Sequence, residues 1–228
     1  MSAVAEAPRA ASTFALVRAL SVVSAICGII IVLSYLATLD RAKANRRLAA
    51  ERAVFKVLPA AKSVRAFYAL PSGEIVAAVA ADAPAGAIRF YAAYDGAGKF
   101  AGVAAEGAAK GYADTVRVMF GYQQSCRCIV GLGVVSMRET PGIGDKILTD
   151  KDFLANFKAL DVKLNADLSA LANEVKVVKH GTKTHPWEID AISGSTVTSR
   201  AVGKGINEAA EALLPRLVPK IGQLEMQP

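Results

Sequence analysis

Three cysteines, two histidines and a single tryptophan are all that the 228 residues hold of those types, and each scarcity closes off a class of protein. So few cysteines show no disulfide framework, and the fold must rest on a core. The two histidines, His180 and His185, are not spaced to share a helix face, so they offer no metal or general-base constellation and read as loop residues near Trp187. Ser136 and Ser199 have no histidine beside them in any hydrolase signature, which leaves nucleophilic catalysis without support. Only 7% of residues are aromatic, and the basic residues behind the formal charge of +7 and pI near 9.4 are scattered. That pattern argues against nucleic acid and leaves phosphates, anionic headgroups or an acidic protein face as partners. No segment repeats at solenoid or propeller spacing.

What the chain does have is apolar residues, 53% of the total, enough for one compact domain and an anchor. Ala19 to Leu39 carries no charge, and as a helix it spans roughly 31 Å against a hydrocarbon core of about 30 Å. A cleavable signal has a shorter apolar region and a small-residue cleavage site close behind it. Here Ala42-Lys43-Ala44 lies beyond charged residues, so the segment reads as a retained anchor. Arg9 and Arg18 precede it, whereas Arg41, Lys43, Arg46, Arg47, Arg52 and Lys56 follow. By the positive-inside rule, that bias keeps the C-terminal part cytoplasmic.

The expected organisation is a tail over 1–18, a membrane helix over 19–39, a stalk helix over 40–60 and one domain over 61–220. Its first residues, 1–13, lack periodicity and suggest a disordered tail. β-Branched and aromatic runs separated by turn residues predict strands at 63–70, 74–81, 87–94 and 100–106, paired as two antiparallel hairpins. Two more runs, 116–122 and 127–137, are strand-like, as is 174–179. Helical spacing appears over 149–160, with Thr149 or Asp150 as N-cap, and over 196–217, where Val197, Ala201, Ile206, Ala209, Leu213 and Leu217 share a face. The fold class is therefore α+β, with antiparallel strands and flanking helices. Cys126 and Cys128, two apart in a strand, point to one face. They can ligate a metal together or pack as buried thiols, and the packed reading is preferred.

Two stretches carry chemistry. Asp190-Ala191-Ile192-Ser193-Gly194-Ser195-Thr196 lies just before the closing helix. Gly194 frees the backbone to turn, and Ser193 or Ser195 can cap the helix, whose unpaired N–H groups and dipole favour a phosphate. On spacing alone the same residues make an ordinary N-cap, and the missing Gly-Lys pair excludes a P-loop. Glu139-Thr140-Pro141-Gly142-Ile143-Gly144-Asp145-Lys146 follows an apolar strand. Its glycines let backbone groups approach a planar ligand edge, with Lys146 available for an anion. An ordinary surface turn fits that loop equally well.

Together the two stretches resemble the covalent FMN-binding subunits of the Rnf and sodium-pumping NADH:quinone oxidoreductase complexes, RnfG and NqrC, with RnfG the nearer. Asp190 to Thr196 is similar to the family's D-x-x-S/T-G-A-T flavinylation motif, and ETPGIGDK to its E-T-P-G-L-G. Val57-Leu58-Pro59, Gly111-Tyr112 and the order of the parts extend the likeness over most of residues 19–217. Ser195 stands where the family usually has Ala, and Ile143 where it usually has Leu. The resemblance implies FMN joined through a phosphoester to Thr196, installed outside the membrane by a metal-dependent flavin transferase that reads Asp190. It assigns Ser193, Gly194, Ser195, Glu139, Thr140, Gly142, Ile143, Gly144 and Lys146 to the cofactor site, and no catalytic or metal residue. It further implies a redox subunit rather than a stand-alone catalyst, relaying electrons one at a time among membrane subunits of an Rnf-like, ion-translocating complex. Against the charge bias, it places the domain on the periplasmic side of the bacterial inner membrane, since a stalk of mixed charge can translocate when partner subunits fix the arrangement. The competing reading is a membrane-tethered module that binds a ligand noncovalently or serves assembly.

Overall fold

The structure, a computed structural model, describes residues 12–78 and 83–225. The tail expected over 1–13 therefore lies almost wholly outside the described residues, as does the end of the strand expected over 74–81. The chain forms two units, Met1–Leu48 and Ala49–Pro228. Helix α1 runs Thr13–Val57. Within it, Thr13–Ala42 has a mean hydropathy of 2.5 and no buried share, long and apolar enough by length and composition to cross a membrane.

The second unit is built on a seven-stranded sheet. Its strands are β1 (Ser63–Ala69), β2 (Ile75–Ala77), β3 (Ile88–Tyr94), β4 (Phe100–Lys110), β5 (Thr115–Gln123), β6 (Cys128–Ser136) and β7 (Leu160–Asp161). They lie in the order β2-β1-β3-β4-β5-β6-β7, every neighbour antiparallel. The two hairpins expected from sequence are present as β1–β2 and β3–β4. Short helix α2 (Lys151–Ala155) continues through a 3-10 turn at Asn156–Lys158 into β7. The single helix expected over 149–160 thus breaks halfway, because Leu160 leaves it to pair with Ile129. Asp150 is its N-cap, the carboxylate accepting the Phe153 N–H at 2.8 Å. A separate ribbon joins β8 (Lys176–Val178) to β9 (Glu188–Asp190) in parallel, a pairing the sequence did not suggest. Helix α3 (Thr196–Leu217) and the last turn α4 (Gly222–Glu225) close the chain.

Period-two alternation splits the strand side chains between two cores. Phe90, Ala92 and Tyr94 of β3, with Val116, Val118, Phe120 and Tyr122 of β5, meet Ala201, Ile206, Leu213 and Leu217 of α3. From the other face Tyr91, Ala93, Ala104 and Met119 meet Ala50, Ala53, Val54 and Val57, the last turns of α1. With both faces covered, the strands read as nearly continuous apolar runs. Val197, placed by its spacing on the buried face of α3, is instead 49% exposed.

Helix α3 approaches β4 so closely that a Cβ on Gly107 would collide with the Gly205 carbonyl. Backbone cannot move aside as a flexible side chain can. Gly107→Ala should therefore cost about 2 kcal/mol, seen as a lower denaturation midpoint at unchanged slope.

Cys126 and Cys128 form a disulfide, which overturns the reading of two core thiols and excludes a shared metal. They do not lie in one strand. The chain reverses between Gln123 and Cys128, and Arg127, at φ +52, brings the two Cα atoms to 5.1 Å. That separation is within bridging range.

Candidate functional site

Two turns of the same kind frame the start of α3. In the first, the Thr140 carbonyl accepts the N–H of Ile143 at 3.2 Å and of Gly144 at 2.9 Å. Pro141 fixes the second position and Gly142, at φ +75, the third, which is the type II pattern that demands glycine there. In the second, Ile192 O accepts Ser195 N–H at 3.0 Å, and Gly194 sits at φ +81. Nothing lies within 4 Å of a Cβ at Gly142 or Gly194, so backbone conformation rather than crowding selects glycine at both.

Thr196 is the first residue of α3, and Ser195 is its N-cap at φ −121, ψ 34. Neither Ser193 nor Ser195 caps the helix through its side chain, contrary to the expectation from sequence. Ser193 is exposed, and the Ser195 hydroxyl is buried with no hydrogen-bond partner. The latch is one turn later: Ser199 Oγ donates to Ser195 O at 2.9 Å and accepts the Ile192 N–H at 3.1 Å. The turn is thereby tied to the helix while the amides of its first turn are left without a side-chain acceptor.

Glu139 joins the elements around this helix start. Its Oε2 accepts the Thr198 hydroxyl at 2.8 Å, and its Oε1 accepts the Ala113 N–H at 3.2 Å. One carboxylate thus binds the loop before β5 to the first turn of α3. Gly144 lies directly against it, and any Cβ there would crowd the Glu139 side chain.

These elements enclose a cavity of about 440 Å³ lined by Tyr112, Glu139, Thr140, Ile143, Gly144, Gly194, Ser195, Thr196, Val197 and Thr198. Seven residues selected from sequence, Glu139, Thr140, Ile143, Gly144, Gly194, Ser195 and Thr196, are therefore in one place. Lys146, Ser193 and Asp190 line a second cavity instead, together with Asp150, Asp152 and His180. Gly142 lines neither. Both carboxylate oxygens of Asp190 accept the Gly181 N–H, at 2.8 and 2.9 Å, and the His180 ring lies 3.7 Å away. His185 stacks on Trp187 with ring centroids 4.5 Å apart. Close by, Glu188 Oε2 accepts the N–H groups of Thr184 and His185 at 2.7 and 3.0 Å, which hold its carboxyl below the usual range.

Sequence reasoning gave no site role to Tyr112, Val197 or Thr198. Tyr112 is 73% exposed and Ile143 50%, so with Val197 they give the cavity an apolar rim that water covers only in part. The signal for Tyr112 was an aromatic immediately after Gly111 at the head of a strand; its meaning depends on a loop far away in sequence.

Comparisons with known proteins fall on this part of the chain. Residues 111–211 match the family model of the FMN-binding domain. The RnfG-type component of the Na(+)-translocating ferredoxin:NAD(+) oxidoreductase complex of Acetobacterium woodii is 36% identical over 44% of this chain and 43% of its own length. Its counterpart in the ion-translocating oxidoreductase complex of Methanosarcina acetivorans is 26% identical over 83% of this chain and 88% of its own. The first three relatives are matched over 43, 48 and 48% of their length, so the alignments span less than half of each. Among solved structures, NqrC of Shewanella oneidensis shares the fold with a TM-score of 0.57 at 20% identity, covering 79% of this chain and all of that one. The equivalent component of the Na(+)-translocating NADH-quinone reductase of Parabacteroides distasonis gives 0.60 at 19% identity, over 78% and 96%. Family model, relatives and fold agree on one identification: the chain is an RnfG/NqrC-type FMN-binding subunit, with its FMN-binding domain at residues 111–211.

Proposed function

We propose that the FMN is held by a phosphoester to Thr196, and that the chain, anchored by α1, relays electrons in an Rnf-like complex coupled to ion translocation. The observation that carries this reading is the placement of Thr196, the first residue of a 22-residue helix with no side-chain cap, at the wall of a cavity of about 440 Å³. A helix N-terminus with free amides favours a phosphodiester, which keeps one negative charge. The hydroxyls nearby are less suited to attachment. Ser195 is 3% exposed, and Thr198 is buried and bonded to Glu139, whereas Thr196 is half-buried.

FMN supplies reversible electron uptake, and the chain's own residues hold and orient it. Tyr112, Ile143 and Val197 give an apolar surface on which a planar ring can stack. Thr140, Gly142 and Gly144 bring backbone to its edge, and Glu139 keeps the two walls in register. In this reading Asp190, with Ser193 and Lys146 beside it on the second cavity, is the part a flavin transferase reads. The proposed partners are that enzyme during maturation and the other membrane subunits of the complex afterwards.

The disulfide supports a domain on the outer, periplasmic side of the bacterial inner membrane, because such bonds persist in oxidising compartments and are rare in the cytosol. It answers the charge bias of the residues after the span. In intact spheroplasts, external protease should remove the domain. A membrane-impermeant maleimide should label the domain's cysteines only after reduction. A domain that resists the protease contradicts this placement.

Covalent attachment itself is tested by denaturing electrophoresis of chain made in a host containing the transferase. Flavin fluorescence should stay with the band under ultraviolet light. Fluorescence lost at the dye front would favour a noncovalent binding module.

A further inference from the structure

The Ser195 hydroxyl stands apart from the other polar groups of the unit. It is inaccessible to solvent, within a residue only 3% exposed, and it has no hydrogen-bond partner. A buried hydroxyl without a partner costs free energy, and native structures rarely keep one without a reason. Its location narrows the reason. Ser195 is at the N-cap of α3, where a serine side chain normally accepts a first-turn N–H, and here it makes no such bond. Its backbone is fully engaged, with Ser195 N–H on Ile192 O and Ser195 O receiving both the N–H and the hydroxyl of Ser199. Only the Oγ is unused, and the residue lines the cavity that holds Thr196.

We propose that Ser195 is a phosphate-binding residue: its hydroxyl donates to a phosphate oxygen of the flavin nucleotide seated at the start of α3. This rests on the cavity being the FMN site, but not on the bond to Thr196. A hydroxyl directed at an anion forms a charge-assisted hydrogen bond, stronger than one to a neutral acceptor. The helix amides and the hydroxyl then act on the same charge, the amides along the axis and the hydroxyl from the N-cap. Ser195 is thus an anion donor, too buried to compete with Thr196 as an attachment point.

The test uses the full-length chain in detergent, made in a host without flavin transferase so that no ester forms. Affinities for FMN and for riboflavin, which lacks the phosphate, are measured by quenching of flavin fluorescence, for wild type and Ser195→Ala. The expected result is an FMN affinity about tenfold weaker in the variant, with riboflavin unchanged. The melting temperature of the free chain should hold or rise, because alanine removes an unsatisfied hydroxyl. Unchanged FMN affinity would overturn the assignment. So would an equal loss for both ligands accompanied by a lower melting temperature, which marks a structural role, or wild-type chain that binds FMN no better than riboflavin. Failure of the Thr196 linkage is read separately, from chain made with the transferase, and leaves these affinities untouched.

Discussion

Replacing Thr196 with alanine is expected to give a folded chain that carries no covalent flavin. The loss should be complete, because no other hydroxyl in the cavity is both free and accessible. Ser195 is buried, and Thr198 is committed to Glu139. Stability should change by less than about 1 kcal/mol, since alanine is a strong helix former and position 196 is only half-buried. Thr196→Ser keeps the hydroxyl and should keep the flavin. Absorbance of the denatured, desalted chain measures both. Flavin retained on Thr196→Ala would move the attachment point elsewhere.

The second large effect is expected at Glu139. Glu139→Leu removes the acceptor of both the Ala113 N–H and the Thr198 hydroxyl. The loop before β5 is then no longer tied to the first turn of α3. The group is partly exposed, so the stability loss should be modest, about 2 kcal/mol. Flavin loading should suffer far more, because a hydroxyl displaced by an ångström from its reactive position can cost on the order of a hundredfold in rate. Glu139→Gln keeps one oxygen acceptor and should fall between the two. Timed loading by the transferase, read beside a denaturation curve, separates positioning from folding. Wild-type loading in the leucine variant would deny Glu139 this role.

Much of this architecture was legible in the sequence because it rests on local rules. Long apolar runs bounded by Gly, Pro and Asp give β1, β3, β4, β5 and β6, and the spacing of Ala201, Ile206, Leu213 and Leu217 gives the buried face of α3. What escaped depends on partners distant along the chain. Strands as short as β7 and β9 carry no periodicity of their own and exist only because Ile129 and Val177 lie opposite them.

The disulfide escaped because the residues from Cys126 onward were read as one strand, whereas the chain turns through Arg127. At the site, sequence placed the two glycine turns correctly, since positive φ is a local demand. It missed the linkage between them. Glu139 was selected as a ligand contact, yet its visible bonds go to Ala113 and Thr198, and Tyr112 and Val197 acquire a role only when three separate segments meet. Ser195 is the clearest reversal. Local rules make it a cap, and the fold leaves its hydroxyl free of that duty.

Mass spectrometry of the tryptic peptide Thr184–Arg200 tests the central claim most directly, using chain made in the presence of the flavin transferase. That peptide contains Ser193, Ser195, Thr196, Thr198 and Ser199, so fragmentation distinguishes every candidate hydroxyl near the helix start. The expected result is an added mass equal to FMN less one water, localised to Thr196. An unmodified peptide, or the same increment on any other residue, would contradict it.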